Sequence, residues 1–162
     1  MCKSVMTKRL VEVREAVDAD LPDIISMWRR NIKTVDTASD IVTLYRYFRE
    51  YFLVATHAGM GNNTGANCAV IGFMAGAVRD GHGHISGIAV DKEYRRNSVG
   101  KQLLEAADAK FRAHGFHRVT LEVRISNTGA MGFYKAQGYK SICTISGYYA
   151  DGEDAIVYEL KI

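Results

Sequence analysis

The hydrophobic and polar positions of the chain fall into segments of two periods. Residues 10–16 (LVEVREA) alternate apolar and polar, as a strand with one buried face does. Leu21, Ile24, Ile25, Trp28 and Ile32 recur at steps of three and four. That spacing predicts a helix with Pro22 in its first turn and Asp18 or Asp20 as its cap. Residues 31–40 are polar and read as a loop, and a second helix from about residue 39 carries Ile41, Leu44, Tyr45 and Phe48 on one side. Residues 51–56 are a strand candidate, 57–67 (HAGMGNNTGAN) a flexible hairpin loop, and 68–78 the next strand. The DGHG of residues 80–83 predicts a tight turn into an antiparallel partner over 84–90.

The helical period returns in Val99, Leu103, Leu104, Ala107 and Phe111, with Gly115 where a helix C-terminal glycine belongs. Residues 117–125 (HRVTLEVRI) alternate strictly. Val119, Leu121, Val123 and Ile125 face one way; Arg118, Thr120, Glu122 and Arg124 face the other. A short helix over 127–137 stops at Gly138, and strands over 139–146 and 155–162 flank the loop 148–154 (YYADGED). Helices mixed with strands that are mostly hairpin neighbours make this an α+β protein around a mixed, largely antiparallel sheet. No repeat or linker interrupts the 162 residues, so the expectation is a single domain over 1–162 with residues 1–9 a loose basic leader.

Composition narrows the function classes. Apolar residues at 48% and charged ones at 24% are those of a soluble globular protein. A net charge of +3 without a Lys/Arg tract gives no reason to expect nucleic acid as a partner. Cys2, Cys68 and Cys143 are odd in number and widely spaced, which indicates neither a zinc site nor a disulfide framework. Free thiols, with no signal peptide and no run of ~20 apolar residues, point to the cytoplasm and to no membrane partner. His82 and His84 read as turn histidines rather than metal ligands, because no carboxylate or thiol lies near them in sequence.

Candidate chemistry centres on residues 85–101 (ISGIAVDKEYRRNSVGK), where an apolar strand ends, a polar turn follows and a helix begins. Helix-start amides have no partner in the chain and carry the positive end of the peptide dipoles, so they attract phosphate. Arg95, Arg96 and Lys101 add charge, and Ser98 and Gly100 let an anion approach the backbone. The segment reads as a pyrophosphate cradle or as a basic turn that binds nothing. Glu122 lies mid-strand on the polar face. It is either part of a solvated face paired with Arg118 or Arg124, or a cleft carboxylate whose raised pKa lets it take a proton near neutrality. Tyr134 alone is a core tyrosine, Asn127 alone a helix cap, and Cys143 a packing residue.

The order of these motifs carries more. Ile88-Ala89-Val90, Tyr94-Arg95-Arg96-Asn97-Ser98-Val99-Gly100-Lys101, Leu121-Glu122-Val123-Arg124, Ser126-Asn127, Ala130, Phe133-Tyr134 and Gly138-Tyr139 resemble the GNAT acetyltransferase superfamily. The ending Tyr148-Tyr149-Ala150-Asp151-Gly152-Glu153-Asp154-Ala155 resembles the RimI-like and archaeal protein N-terminal acetyltransferases.

The resemblance implies a three-layer fold whose sheet is splayed to admit acetyl-CoA, with Ile88, Ala89 and Val90 along the pantetheine. Arg95, Arg96, Asn97, Ser98, Val99, Gly100 and Lys101 would hold the pyrophosphate, and Asn127 and Tyr134 would also touch the cofactor. It implies Glu122 as general base, Tyr134 as general acid and no metal. Tyr149 and Glu153 would meet the acceptor, a protein or peptide N-terminus such as that of a ribosomal protein. Acetylation of internal lysines or small amines, and a non-catalytic acyl-CoA-binding module, stand as alternatives. Ser98 departs from the family's usual glycine. It is strained if the position needs positive φ, and costs little if the residue is already helical.

Overall fold

The computed structural model describes residues 11–58 and 69–162. The expected leader, Cys2, Cys68 and all but the first two residues of the expected 57–67 loop lie outside the described residues. Strand alternation produces β1 (Val11–Glu15), β2 (Phe52–His57), β3 (Ala69–Arg79), β4 (His82–Val90), β5 (Arg118–Arg124), β6 (Lys140–Ile145) and β7 (Ala155–Lys161). Helical spacing produces α1 (Leu21–Asn31), α2 (Ala38–Tyr47), α3 (Val99–Ala113) and α4 (Thr128–Ala136). The strands follow the order β1-β2-β3-β4-β5-β7-β6 in one sheet. β1–β2, β2–β3, β5–β7 and β6–β7 are antiparallel, and β4–β5 is parallel, so the sheet is mixed and largely antiparallel as expected.

The described chain forms two compact units, residues up to 76 with 87–107, and residues 77–86 with 108–162. In the first, Ile24, Met27 and Trp28 of α1 and Ile41 and Tyr45 of α2 pack on Phe52, Val54, Phe73 and Ala75. Trp28 stacks on Phe73 at 5.5 Å between ring centroids. Asp20 precedes α1 but does not cap it through its side chain; its carboxylate accepts from Arg14 and from the Val17 amide. Thr37 starts α2 with a reciprocal capping box, its hydroxyl accepting from the Asp40 amide and the Asp40 carboxylate accepting from the Thr37 amide.

In the second unit, Val119, Leu121 and Val123 are buried, as are Phe111, Tyr139, Val157 and Tyr158, whereas Ile125, expected on the same inward side, lies past the end of β5 and is exposed. The β3–β4 turn is shorter than the sequence suggests. Asp80 (φ 49°) and Gly81 (φ 75°) alone make it, as a two-residue hairpin turn requires, and β4 starts at His82. His82 and His84 are therefore strand residues, and both are buried. A Cβ on Gly83 would lie 2.7 Å from the Phe111 ring, which brings the end of α3 against this strand. β4 and β5 share two rungs, Gly83↔Val119 and His84↔Thr120, and both strands run on beyond them. β6 is exposed along its whole length, Cys143 included, so that thiol is not the packing residue expected of it.

Candidate active site

The parallel rungs of β4 and β5 bring two histidines beside two polar residues. His82 Nε2 lies 2.8 Å from Thr120 Oγ1. Arg118 donates to His82 Nδ1 at 3.3 Å, which leaves Nε2 to carry the proton toward the threonine. One step along, His84 Nε2 lies 2.6 Å from Glu122 Oε2, and Ser86 Oγ lies 3.3 Å from His84 Nδ1. Arg79, the last residue of β3, donates to Glu122 Oε1 at 3.3 Å. Each oxygen of the carboxylate thus has its own donor, from a different strand.

These partners differ from those the sequence suggests. Arg118 pairs with Glu159 at 3.1 Å, and Arg124 pairs with Asp151 and Glu153. They also reverse the expected titration of Glu122. Burial alone would raise its pKa, but the His84 hydrogen bond and the charges of His84 and Arg79 hold it below the ordinary carboxylate range. Glu122, with 14% of its side chain exposed, is an ionised group at neutral pH rather than a proton carrier poised near it.

Tyr134 lies on α4, which Asn127 caps by accepting from the Ala130 amide at 3.1 Å. The tyrosine is 7% exposed, against Tyr139 and Tyr158 at ring separations of 5.7 and 6.4 Å. Its hydroxyl makes no hydrogen bond among the described residues. Burial, and then Tyr149, push that hydroxyl well above the ordinary phenol range, so it carries its proton. Burial pushes Tyr149 up to about 12, with Tyr148, Glu122 and Glu153 adding and Arg124 opposing. In the second unit Tyr149 thus lies within electrostatic reach of Glu122 on one side and of Tyr134 on the other. Glu153 is occupied by the protein: it accepts from Ser126, backbone and hydroxyl, and from Arg124 at 2.8 Å.

The first unit carries the other expected residues. Ala89 is buried, and Ile88 and Val90 are half-buried on β4. Gly72 lets β3 pass close to this stretch; a Cβ there would stand 3.1 Å from the Ala89 carbonyl oxygen. Arg95 anchors the turn, donating to the Val90 carbonyl at 3.0 Å and to Asn31 at 2.9 Å. Arg96 and Asn97 are exposed. Lys101 stands 3.8 Å from Glu105, an exposed pair one helical turn away.

Arg96 (φ 65°) and Ser98 (φ 62°) both sit in the left-handed region. Ser98 is thus in the strained state rather than the helical one, at a cost of about 1–2 kcal/mol. Left-handed residues in a turn draw successive amides toward one point, a concavity that suits an anion. Gln102 is the first amide of α3 to find an acceptor, Ser98 O at 3.0 Å. The amides of Val99, Gly100 and Lys101 stand ahead of it, and helix geometry gives them no acceptor. These amides, with the Arg96 charge, fit a diphosphate. Among the described residues, no three His, Cys, Asp or Glu side chains are grouped to hold a metal ion.

Residues 21–139 match the sequence model of the acetyltransferase (GNAT) family. An uncharacterized N-acetyltransferase of Methanocaldococcus jannaschii is 32% identical over 90% of this chain and 88% of its own length. An N-alpha-acetyltransferase of Sulfurisphaera tokodaii is 45% identical over 74 residues, 45% of this chain and 44% of that protein. The crystal structure of Ard1 from Thermoplasma volcanium superposes with a TM-score of 0.84 at 28% identity, covering 94% of this chain and 98% of that one.

Two outcomes follow from this geometry. A carboxylate held below its unfolded value contributes stability that is present above ~4.3 and is lost as pH falls through the folded value. The stability gap between wild type and Glu122→Gln, from urea unfolding, therefore narrows as pH falls from 7 to 3; a gap that widens on acidification assigns Glu122 a raised pKa instead. Ser98→Gly removes left-handed strain and stabilises the fold by about 0.5–1 kcal/mol, net of the extra freedom glycine gives the unfolded chain. An unchanged or lower unfolding midpoint contradicts the strain.

Proposed function

The chain belongs to the acetyltransferase (GNAT) family, and from that premise we propose that its acceptor is the α-amino group of a protein or peptide N-terminus. As an acyltransferase it draws acetyl from acetyl-CoA, which supplies an activated thioester. The observation that carries the proposal is the Glu122 carboxylate, ionised between His84 and Arg79 and close enough to the half-buried Tyr149 phenol to raise its pKa. The N-alpha-acetyltransferase relative supports the same acceptor class.

In this reading the amides of Val99, Gly100 and Lys101 and the Arg96 side chain hold the diphosphate, while Arg95 keeps their turn in place. The acceptor amine must be neutral to attack. An α-amine of pKa ~8 yields its proton to water at pH 7 about 3 kcal/mol more readily than a lysine of ~10.4. Glu122 does not create the neutral amine, because moving a proton from pKa ~8 to a carboxylate below ~4.3 costs about 5 kcal/mol or more. It selects the amine by charge and hydrogen bonding. It takes the proton once the new N–C bond has made the nitrogen acidic, directly or through water. His84 Nε2 stays on Oε2 throughout, leaving the Oε1 side, with its exposed Arg79, as the edge that opens to the acceptor. Tyr134, with its pKa above that of a thiol (~8.5), holds its proton and stabilises the departing sulfur by donating a hydrogen bond.

A peptide panel varied at the first residue, ribosomal-protein N-termini included, tests the proposal. The expected result is labelled acetyl on the α-amine, a fall of about 10²-fold or more in kcat/KM for Glu122→Gln, and a comparable fall in thiol release for Tyr134→Phe. Label only on lysine side chains or small amines overturns the acceptor. No transfer to any amine, with acetyl-CoA still bound, identifies a binding module.

A further inference from the structure

Arg124 ends β5, two residues after Glu122 and on the same face of the strand. Its side chain is 15% exposed. Its Nη1 donates to Asp151 at 3.0 and 3.1 Å and to Glu153 at 2.8 Å, and its guanidinium carbon stands 3.9 Å from the Tyr149 ring centre. Glu153 passes the restraint on to Ser126, and Asp151 accepts from the Glu153 amide at 3.1 Å. Inside the loop, the Tyr149 amide donates to the Glu153 carbonyl at 3.1 Å and the Gly152 amide to the Tyr149 carbonyl at 2.8 Å. Nine residues, 146–154, are thereby closed over one arginine. One nitrogen meets both carboxylates while the guanidinium carbon lies over the ring, an arrangement that suits an extended planar guanidinium better than the compact ammonium of lysine.

We propose that Arg124 is a positioning residue for the acceptor. It seats Tyr149 on the face of β5 that carries Glu122 and so sets how the acceptor is recognised, while taking no part in holding the acetyl donor. This rests on the proposed N-terminal acetylation, and it deepens that reading by assigning acceptor affinity to a residue on the catalytic strand. Glu153 belongs to the same device, acting through the shape of the loop rather than by touching the acceptor. Removing the arginine takes a shared cation from Asp151 and Glu153 and the platform from the ring, so the phenol loses its fixed place. The donor-binding turn, in the other unit, shares none of these bonds.

The test is steady-state kinetics of Arg124→Gln, Arg124→Lys, Tyr149→Ala and the Arg124→Gln/Tyr149→Ala double variant, each with unfolding midpoints measured alongside. The expected result for Arg124→Gln is a rise of about tenfold or more in the acceptor KM with the acetyl-CoA KM unchanged. Arg124→Lys keeps the charge and the fold but restores little of the acceptor affinity. Adding Arg124→Gln to Tyr149→Ala costs far less than it does alone, because both act through one ring. An unchanged acceptor KM, a parallel rise in the acetyl-CoA KM, full rescue by lysine, or additive effects overturn the proposal. Should Arg124→Gln fail to fold, Arg124→Lys carries the same comparison. If wild type acetylates lysines or small amines instead of N-termini, the N-terminal reading fails while the KM comparison is made with that acceptor. If no acceptor is acetylated, amide exchange over residues 147–154 decides: faster exchange in Arg124→Gln than in wild type is required, and equal exchange overturns the seating of the loop.

Discussion

A carboxylate in the middle of an inner strand must be partnered or neutralised, and the arrangement around Glu122 is the solution to that constraint. β5 lies between β4 and β7, so Glu122 cannot turn its whole side chain to water. Leaving it charged and unpaired would cost several kcal/mol. Two donors from β3 and β4 meet its two oxygens instead, and the charge survives burial. That charge then shapes its surroundings. It helps keep the Tyr149 phenol protonated, and in the proposed reaction it is the group that meets the acceptor amine.

The first unit deals with the opposite charge by different means. No buried cation is needed where a helix begins with three amides that its own geometry leaves without acceptors. The turn before α3 bends sharply enough to force two non-glycine residues, Arg96 and Ser98, into left-handed backbone. Arg95 offsets that strain by tying the turn to Val90 and Asn31. A basic run that looks uniform along the chain thus divides its labour: one arginine holds the turn, the next faces solvent, and the lysine lies along the helix.

Periodicity made most of the elements legible, because inward positions on β5 and on the α3 stripe are set by spacing alone. The strand, basic turn and helix start proposed to hold the diphosphate were legible as well, since they are contiguous. The partners of Glu122 were not. Arg118 and Arg124 are its neighbours along the strand, but alternate side chains on one strand lie ~7 Å apart, whereas residues paired across strands come closer. Identifying His84 requires the parallel register His84↔Thr120, which no local pattern encodes. The one local signal was two histidines at alternate positions opposite an alternating polar strand. The partners of Glu153 and the backbone of Ser98 were not legible for a related reason: the first depend on an arginine 29 residues away, and the second on a backbone angle that a serine does not announce. The exposure of Cys143 was not legible either, because the order of the strands, which puts β6 at the sheet edge, is not encoded locally.

The account depends on Glu122 keeping its charge through two donors on neighbouring strands. Titration of the Glu122 side-chain carbonyl by carbon-13 NMR, in wild type and in Arg79→Gln, tests this directly. The predicted result is a wild-type midpoint below the ordinary glutamate value of ~4.3, moving upward when the Arg79 charge is removed. A wild-type midpoint near neutrality, or one indifferent to Arg79, would contradict it.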